Sequence, residues 1–576
     1  MARTPLLRSL QQQMYKHVQA CAHHGPGAGG AGNPPVGDGA AQAGRSVFSR
    51  RRFLAGTAAA AGGLALSRLG SASPPAPQPS IAIVGAGLAG LSAALTLADA
   101  GYVATIYETS QNRVGGRTQT DRGSAQNILE GGSCGVCHES RPSGDTGYWV
   151  DGHCTDIFGE MIDTAHTTMR SLAKRFGLAV VDSLAAEPAG STPTYHFFNS
   201  YYPKSQADAD FKILSNALQK DLVSAGYPTT YQKSTPAGRV LDATSIYEWI
   251  ESRVPGGHAS PLGRVLDVAY AIEFGADTTD QSALSLIYLL GYGSKTQFSE
   301  FGSSDERYRI RGGTWEVSRA IAQYLRWDAS IKFGHWLEAI SRSSDGRYVL
   351  SFDKDGGGRA TAIADIVLLA IPFAVLRTLN YSSAGFDTLK QRAIQDLGRG
   401  KNGKLQLQFT RRYWNQRGPW GIGTGTAYSD TGFQNTWEPS RGFPGTSGIL
   451  VKYTGGSPVD LLSLNHPYGD SSSPKVLRDA QAFLTELEPV FPGISLCWNG
   501  KAAGSMAHFD PRFLCSYSYW RVGQYTTIAG YEGQPQGNVF FAGEHTSLDF
   551  QGWMEGAARS GVAAGNAIIS RIRGLR

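Results

Sequence analysis

The sequence predicts an α/β fold, and three features of the 576-residue chain carry that prediction. The stretch IAIVGAGLAGLSAAL at 81–95 has the pattern of a strand, a tight glycine turn and a helix. A second strand, VATIYE, follows at 103–108. Near the other end, VFFAG at 539–543 indicates a strand, and a helix rich in small residues begins near Gly552. Strands joined to helices by short connections are typical of parallel sheets.

The first glycine turn has the spacing of a dinucleotide-binding loop. Gly85 permits the tight turn, Gly87 lets the backbone approach phosphates, and Gly90 lets the helix pack closely on the strand. The start of the helix offers free N–H groups and a positive dipole end to a pyrophosphate. Glu108, at the end of the second strand, can accept hydrogen bonds from ribose hydroxyls. This pattern indicates a Rossmann-like domain but does not separate NAD from FAD.

A second glycine-rich segment, RVGGRT, follows Glu108 directly. The paired Gly115 and Gly116 allow another stretch of backbone to pass close to the cofactor, with Arg113 and Arg117 beside its phosphates. The C-terminal helix carries small residues at every third or fourth position, so it could approach a flat ligand closely.

These motifs together resemble the flavin amine oxidases, a group that includes monoamine, polyamine, L-amino-acid and nicotine oxidases. The segments that carry the resemblance are ETSQNRVGGR at 108–117, FAGE at 541–544 and GWMEG at 552–556. The resemblance covers roughly 79–572 and implies bound FAD. It adds Gly543, Glu544, Gly552, Trp553 and Met554 to the cofactor-binding residues, with the N–H groups near Met554 at the flavin N1–C2=O edge.

The resemblance also implies two interleaved domains after a leader at 1–78. A Rossmann-like FAD-binding domain would take 79–155, 305–379 and 505–576, and an α+β substrate domain would take 156–304 and 380–504. One stretch departs from the family pattern, because Phe158-Gly159-Glu160 stands where two glycines are usual.

Three residues are the candidates for chemistry. Lys404, on the strand-like GKLQLQF, matches the family lysine that holds a water against flavin N5, and Lys401 is a near rival. Trp553 matches one wall of an aromatic cage, and Tyr517 is the first choice for the other. Such a cage orients the nitrogen lone pair of a neutral amine and excludes water. For the neighbouring Tyr519 and Trp520, ordinary packing in the core is the alternative to a place in the cage.

The predicted activity is oxidation of a C–N bond by hydride transfer to flavin N5, giving an imine that water hydrolyses. The substrate would be a primary or secondary amine, and O2 or a cytochrome or quinone acceptor would reoxidise the flavin. An L-amino acid is the alternative, weakened because Ile162 occupies the place of an arginine that clamps the carboxylate. The alternative that is not an enzyme is a flavin-binding scaffold subunit that turns over no amine. A homodimer is one possible assembly that the sequence does not decide.

Charge is concentrated in the leader. Residues 1–73 carry eight Lys/Arg and one acid, which gives this segment a net charge of +7. The whole chain has a net charge of +6, so the remaining residues together carry −1. The main body therefore gives no electrostatic reason to expect nucleic acid or an anionic membrane as partner. The pattern S-R-R-x-F-L at 49–54, before a short apolar run, resembles a twin-arginine signal. We therefore expect the twin-arginine translocation machinery to export the protein to the periplasm or beyond.

Five cysteines follow the leader. Cys134, Cys137 and His138 spell the C-x-x-C-H of c-type haem attachment, but the Gly-rich insert at 124–148 is too short to bury a haem. A disulfide of Cys134 or Cys137 with Cys154 is the preferred interpretation, and zinc lacks a clear fourth ligand, so no metal site is expected. Gap-free counting places Cys515 where monoamine oxidases carry a cysteine bonded to the flavin; a buried free thiol is the alternative.

Overall fold

The computed structural model describes residues 78–121 and 148–574, and from Pro79 onward they belong to one compact unit. The leader, with its arginine pair, lies outside the described residues apart from Gln78. So do Cys134, Cys137 and His138. Among the helices of the described ranges, none combines the length and the apolar character needed to cross a membrane.

The strands of the described residues, numbered in chain order, are β1 Ile81–Val84, β2 Thr105–Tyr107, β3 Thr120–Asp121, β4 Thr155–Asp156, β5 Val180–Asp182, β6 Thr192–Phe197, β7 Ser200–Tyr201, β8 Tyr308–Ile310, β9 Ile331–Lys332, β10 His335–Arg342, β11 Tyr348–Lys354, β12 Arg359–Ala364, β13 Ile366–Leu369, β14 Gly398–Arg399, β15 Asn402–Phe409, β16 Gly423–Ser429, β17 Asn435–Trp437, β18 Gly448–Gly455, β19 Tyr468–Asp470, β20 Trp498–Met506, β21 Ser518–Tyr519 and β22 Val539–Phe541.

The α-helices of the same residues are α1 Leu88–Asp99, α2 Thr167–Arg175, α3 Lys204–Ala225, α4 Pro236–Asp242, α5 Ile246–Arg253, α6 Pro261–Phe274, α7 Ala283–Leu290, α8 Trp315–Tyr324, α9 Trp327–Ser330, α10 Phe373–Leu376, α11 Thr388–Asp396, α12 Pro474–Leu487 and α13 Met554–Gly574.

A parallel five-stranded sheet joins both ends of the described chain, in the order β22–β13–β1–β2–β9. All four residues of β1 are buried, as expected for a central strand covered on both faces. Helices α1 and α13 pack against each other so closely that a Cβ on Gly561 would lie 2.1 Å from the Ala89 carbonyl oxygen. The small residues of α13 therefore serve helix packing as well as any ligand. The predicted α/β fold is confirmed.

A second sheet of eight strands, mostly antiparallel, has the order β19–β20–β15–β18–β17–β16–β6–β7. Strand β15 lies inside it and is buried at all eight positions, with Lys404 opposite Tyr453 on β18 and Ser505 on β20. Helix α6 contacts β16, β17 and β18. This sheet fixes the backbone of Lys404 from both sides.

The strands of the two largest sheets follow the predicted ranges, whereas the two-stranded pairs β5–β8 and β14–β21 each join a substrate range to a FAD range. Every strand of the parallel sheet falls within the ranges predicted for FAD binding, and the eight-stranded sheet falls within the substrate ranges except for the end of β20. The division into two domains itself stays a prediction.

Candidate active site

The first glycine loop is built to bring backbone close to a ligand. Gly85 has φ +99°, and a Cβ there would lie 2.7 Å from the Ala370 carbonyl oxygen. A Cβ on Gly90 would lie 2.0 Å from the Gly85 oxygen, so α1 sits directly on the turn. Gly87 caps α1 and has open space where its Cβ would be. The loop therefore leaves the N-terminus of α1 accessible to an anion.

The second glycine loop lies against the first. The Gly115 N–H donates to the Ala86 carbonyl (2.8 Å), and a Cβ on Gly116 would lie 3.3 Å from the Gly87 Cα. The Arg113 guanidinium donates to the Gly116 carbonyl at 2.9 Å. It braces the loop and is outside the cavity described below.

The buried carboxylate of Glu108 ties these loops to β2. One oxygen accepts from the Ala86 N–H at 2.7 Å and the other from the Ser110 N–H at 2.8 Å. Arg117 extends to the far side of the site, where its guanidinium donates to Glu544 at 3.1 Å.

The Glu544 side chain forms hydrogen bonds with three separate segments of the chain. Its buried carboxylate accepts from Arg117, from the Ser518 N–H at 3.2 Å and from the Gly552 N–H at 2.9 Å. Gly552 has φ +89°, and a Cβ there would lie 3.6 Å from the Tyr517 ring. The segment that leads into α13 is thereby held beside Tyr517.

One cavity of about 680 Å³ joins all these parts. It is lined by every predicted cofactor residue except Gly90 and Arg113, and also by Lys404 and Tyr517. Its volume lies within the range of roughly 300–1,000 Å³ usual for small-molecule sites.

Two fully buried side chains on the cavity wall have unsatisfied polar atoms. Both amide atoms of Gln551 and both ring nitrogens of His545 have no hydrogen-bond partner within the described part of the chain. Burial lowers the pKa of His545 to about 3, so the ring is neutral. Unpaired buried polar groups cost about 1–3 kcal/mol each, which a ligand with polar edges would recover. With the two glycine loops at the N-terminus of α1, this donor set fits FAD.

Lys404 is buried on the cavity wall with its ammonium fully hydrogen-bonded. Its Nζ donates to the carbonyls of Phe158 (2.8 Å) and Asp156 (3.2 Å) and to the Glu160 carboxylate (3.1 Å). The Trp437 ring centroid lies 5.1 Å from the same nitrogen. The rival Lys401 instead pairs with Asp460 and is not among the lining residues.

Glu160 also binds Arg309 and was not a candidate from the sequence. Its second oxygen accepts from the Arg309 guanidinium at 3.1 Å, and Trp437 Nε1 lies 3.3 Å from the first. The sequence signal for Glu160 was its place in a segment where two glycines are usual. That signal did not make Glu160 a site candidate, because its partner Lys404 is more than two hundred residues away in the chain.

The aromatic walls include residues beyond those predicted. The Tyr517 hydroxyl donates to the Ile272 carbonyl at 2.7 Å and lies 3.1 Å from the Tyr453 hydroxyl. Trp553 makes an edge contact with the His166 ring, with centroids 4.9 Å apart. Trp437 and Tyr453, absent from the sequence candidates, line the cavity too.

The neighbours of Tyr517 face elsewhere. Tyr519 bonds to Asp280, Trp520 donates to Glu532, and both are buried outside the cavity lining. The Cys515 thiol is also buried outside the lining, and burial raises its pKa to about 11. A thiol in this setting is a poor nucleophile.

Three glutamates also line the cavity: Glu273, Glu300 and Glu306. Burial raises the pKa of each carboxyl. Glu300 accepts a hydrogen bond from the Tyr195 hydroxyl. Burial therefore favours the neutral form of these carboxyls, and a cation bound beside them would favour the ionised form.

Known proteins share both the sequence pattern and the fold. The family described as flavin containing amine oxidoreductase matches residues 88–569. Nicotine dehydrogenase of Pseudomonas putida is 23% identical over 540 residues, which cover 90% of this chain and 97% of that protein. An L-amino-acid oxidase of Siganus canaliculatus is 24% identical over 85% of both chains.

Among solved structures, cyclohexylamine oxidase from Brevibacterium oxydans superposes with a TM-score of 0.68 at 20% identity, covering 86% of this chain and all of the other. The resemblance inferred from the motifs is confirmed: the chain belongs to the flavin-containing amine oxidoreductase family.

Proposed function

We propose that the protein oxidises the C–N bond of an amine with bound FAD, and that O2 or an external acceptor reoxidises the flavin. The observation that carries the proposal is that Lys404, Tyr517 and Trp553 line the same cavity as both glycine loops. Bound FAD would accept a hydride at N5 from the carbon next to nitrogen, and water would hydrolyse the resulting imine.

The chain's own residues supply binding and orientation. The N-terminus of α1 and the two glycine loops would hold the pyrophosphate. The N–H groups at the start of α13, near Met554, would face the flavin edge where negative charge develops. Tyr517 and Trp553 would position the amine and keep water away from the reacting carbon.

Buried carboxyl groups on the cavity wall favour an amine over an amino acid. Glu300 and Glu306 line the cavity, and no Lys or Arg among the described residues forms an ion pair with either. Arg309 is committed to Glu160 and to the carbonyls of Pro439 and Arg441. A protonated amine would supply the counter-charge that these carboxyls lack, whereas a substrate carboxylate would gain no partner from them.

An L-amino acid is the second candidate, favoured by one observation. Arg441 lines the cavity, and its buried Nε has no hydrogen-bond partner among the described residues. Its other nitrogens bind Glu187 and the Thr424 carbonyl. A substrate carboxylate would have to compete with Glu187 for this guanidinium.

An anaerobic panel of amines and L-amino acids tests the proposal. We expect primary or secondary amines to bleach the flavin absorbance of the purified protein, because the glutamates of the cavity wall can pair with an amine and hydride transfer reduces the flavin. Bleaching by amino acids alone would assign the second candidate, and its loss in Arg441→Met would locate the carboxylate. A flavin that no compound reduces would contradict turnover and favour a scaffold subunit.

We further propose export through the twin-arginine pathway, supported by the sequence at 49–54. A reporter enzyme fused after residue 78 should reach the periplasm of a bacterial host, and Arg50→Lys with Arg51→Lys should retain it in the cytoplasm. Arg45→Lys, outside the motif, is the control. Equal export of all three fusions would contradict this assignment.

A further inference from the structure

Glu160 follows a glycine that lies close to the start of α13. A Cβ on Gly159 would lie 2.9 Å from Met554 Cγ, so another residue there would displace the Met554 side chain. At the next position the chain instead carries a carboxylate that lines the cavity. The local backbone therefore presents Glu160 to the cavity wall while keeping the close contact with α13.

The Glu160 carboxylate lies between two buried cations. Lys404 Nζ and an Arg309 nitrogen each lie 3.1 Å from one of its oxygens. The exposed fractions of the three side chains are 3% for Glu160, 4% for Arg309 and 6% for Lys404. At such burial an ionised group needs both a counter-charge and satisfied hydrogen bonds to persist.

The hydrogen bonds of the Lys404 side chain also indicate that it is charged. An ammonium has three protons, and Lys404 has three acceptors: the Glu160 carboxylate and the carbonyls of Asp156 and Phe158. A neutral amine would leave one of these contacts without a proton. The three hydrogen bonds together fix both the charge and the orientation of the Lys404 side chain.

We propose that Glu160 is a positioning residue that keeps Lys404 as an oriented ammonium at the reacting end of the cavity. The proposal rests on the proposed function, since the reacting end is defined by the flavin. Lys404 then supplies a fixed positive charge and does not exchange its proton during turnover. A positive charge close to the flavin stabilises its reduced, anionic form.

Other ionisable groups face Lys404 from every side. Asp156 lies on β4, Arg309 on β8 and Tyr453 on β18. Burial, and then the charge of Glu160, raises the pKa of Asp156 to about 6. Burial raises the pKa of Tyr453, so its hydroxyl stays neutral. A titration seen after removal of the Glu160 charge can therefore be distinguished from that of Asp156 by its higher pH.

The test replaces Glu160 with glutamine in the holoprotein, with Glu486→Gln as the matched control. Lys452, on β18 of the same sheet, pairs with Glu486 of α12, is also 6% exposed and lies outside the cavity lining. In Glu160→Gln we expect a new titration of the flavin absorbance above that of Asp156, with a flavin potential that falls as the pH rises through it, because a buried lysine without its counter-charge loses its proton readily. Glu486→Gln should show neither change.

Acetic anhydride labelling, read by mass spectrometry at neutral pH, is independent of turnover because only the free amine reacts. Labelling of Lys404 in Glu160→Gln, and of Lys452 in Glu486→Gln, should rise about tenfold or more, because loss of the counter-ion favours the free amine. Glu160→Asp should restore low labelling of Lys404. Unchanged labelling of Lys404 and an unchanged flavin titration in Glu160→Gln would overturn the proposal. Raised labelling in a preparation that binds no FAD would uphold the pairing and reject the proposed function.

Discussion

A Gly90→Val variant is expected to lose its FAD and to unfold at a lower temperature. The added Cβ would lie 2.0 Å from the Gly85 carbonyl oxygen and 3.2 Å from an Ile83 side-chain carbon. The first contact is with backbone, so α1 must move away from β1. That movement displaces Gly87 and the N–H groups that would hold the pyrophosphate. Overpacking of this kind costs at least about 1–3 kcal/mol of folding free energy.

The measurements are flavin content per protein chain and the thermal midpoint with and without added FAD. Gly101→Ala is the control, because this exposed glycine follows the same helix, has φ +81° and has nothing within 4 Å of its Cβ position. It carries backbone strain without a collision. Full flavin content in Gly90→Val would contradict the assigned role of the first glycine loop.

A Lys404→Met variant is expected to slow flavin reduction by substrate, flavin reoxidation, or both by about 10²-fold or more, the usual size for loss of one group that stabilises developing negative charge. Methionine keeps much of the side-chain length but removes the charge that Glu160 and two carbonyls hold at the cavity wall. Stopped-flow spectroscopy of the two half-reactions separates the steps.

Lys401→Met is the matched control, since Lys401 lies three residues away, is about one-third exposed and pairs with Asp460. Its half-reactions should match those of the unmodified protein. Two unaltered half-reactions in Lys404→Met would remove this lysine from the chemistry and leave Tyr517 and Trp553 as the remaining candidates.

The parts of the fold that were predictable are those written in short stretches of sequence. The strand, glycine turn and helix at 81–99 follow from local spacing, because each glycine answers a local steric demand. The C-terminal segment around Gly552 was predictable only through its motif, since nothing local indicates that α13 packs on α1. Lys404 was placed on the correct kind of element by alternation, but its partners were not.

The residues that sequence reasoning missed are those that the sheet topology brings in. Trp437 and Tyr453 come to the cavity on β17 and β18, and no local pattern distinguishes a cavity-facing aromatic from a core one. Gln551 and His545 became visible only through their unsatisfied buried atoms. The parallel pairing of β6 with β16 joins residues far apart in the chain, which periodicity cannot reveal.

The central position of β13, between β1 and β22, has a consequence for biosynthesis. Until residue 541 has left the ribosome, β13 lacks one of its two neighbours, and α13, which packs on α1, is made later still. Contacts of such long sequence separation form slowly. The parallel sheet and its α1–α13 packing are therefore completed only after β22 and α13 have been made, and until then β1 and α1 expose apolar surface that is prone to aggregation.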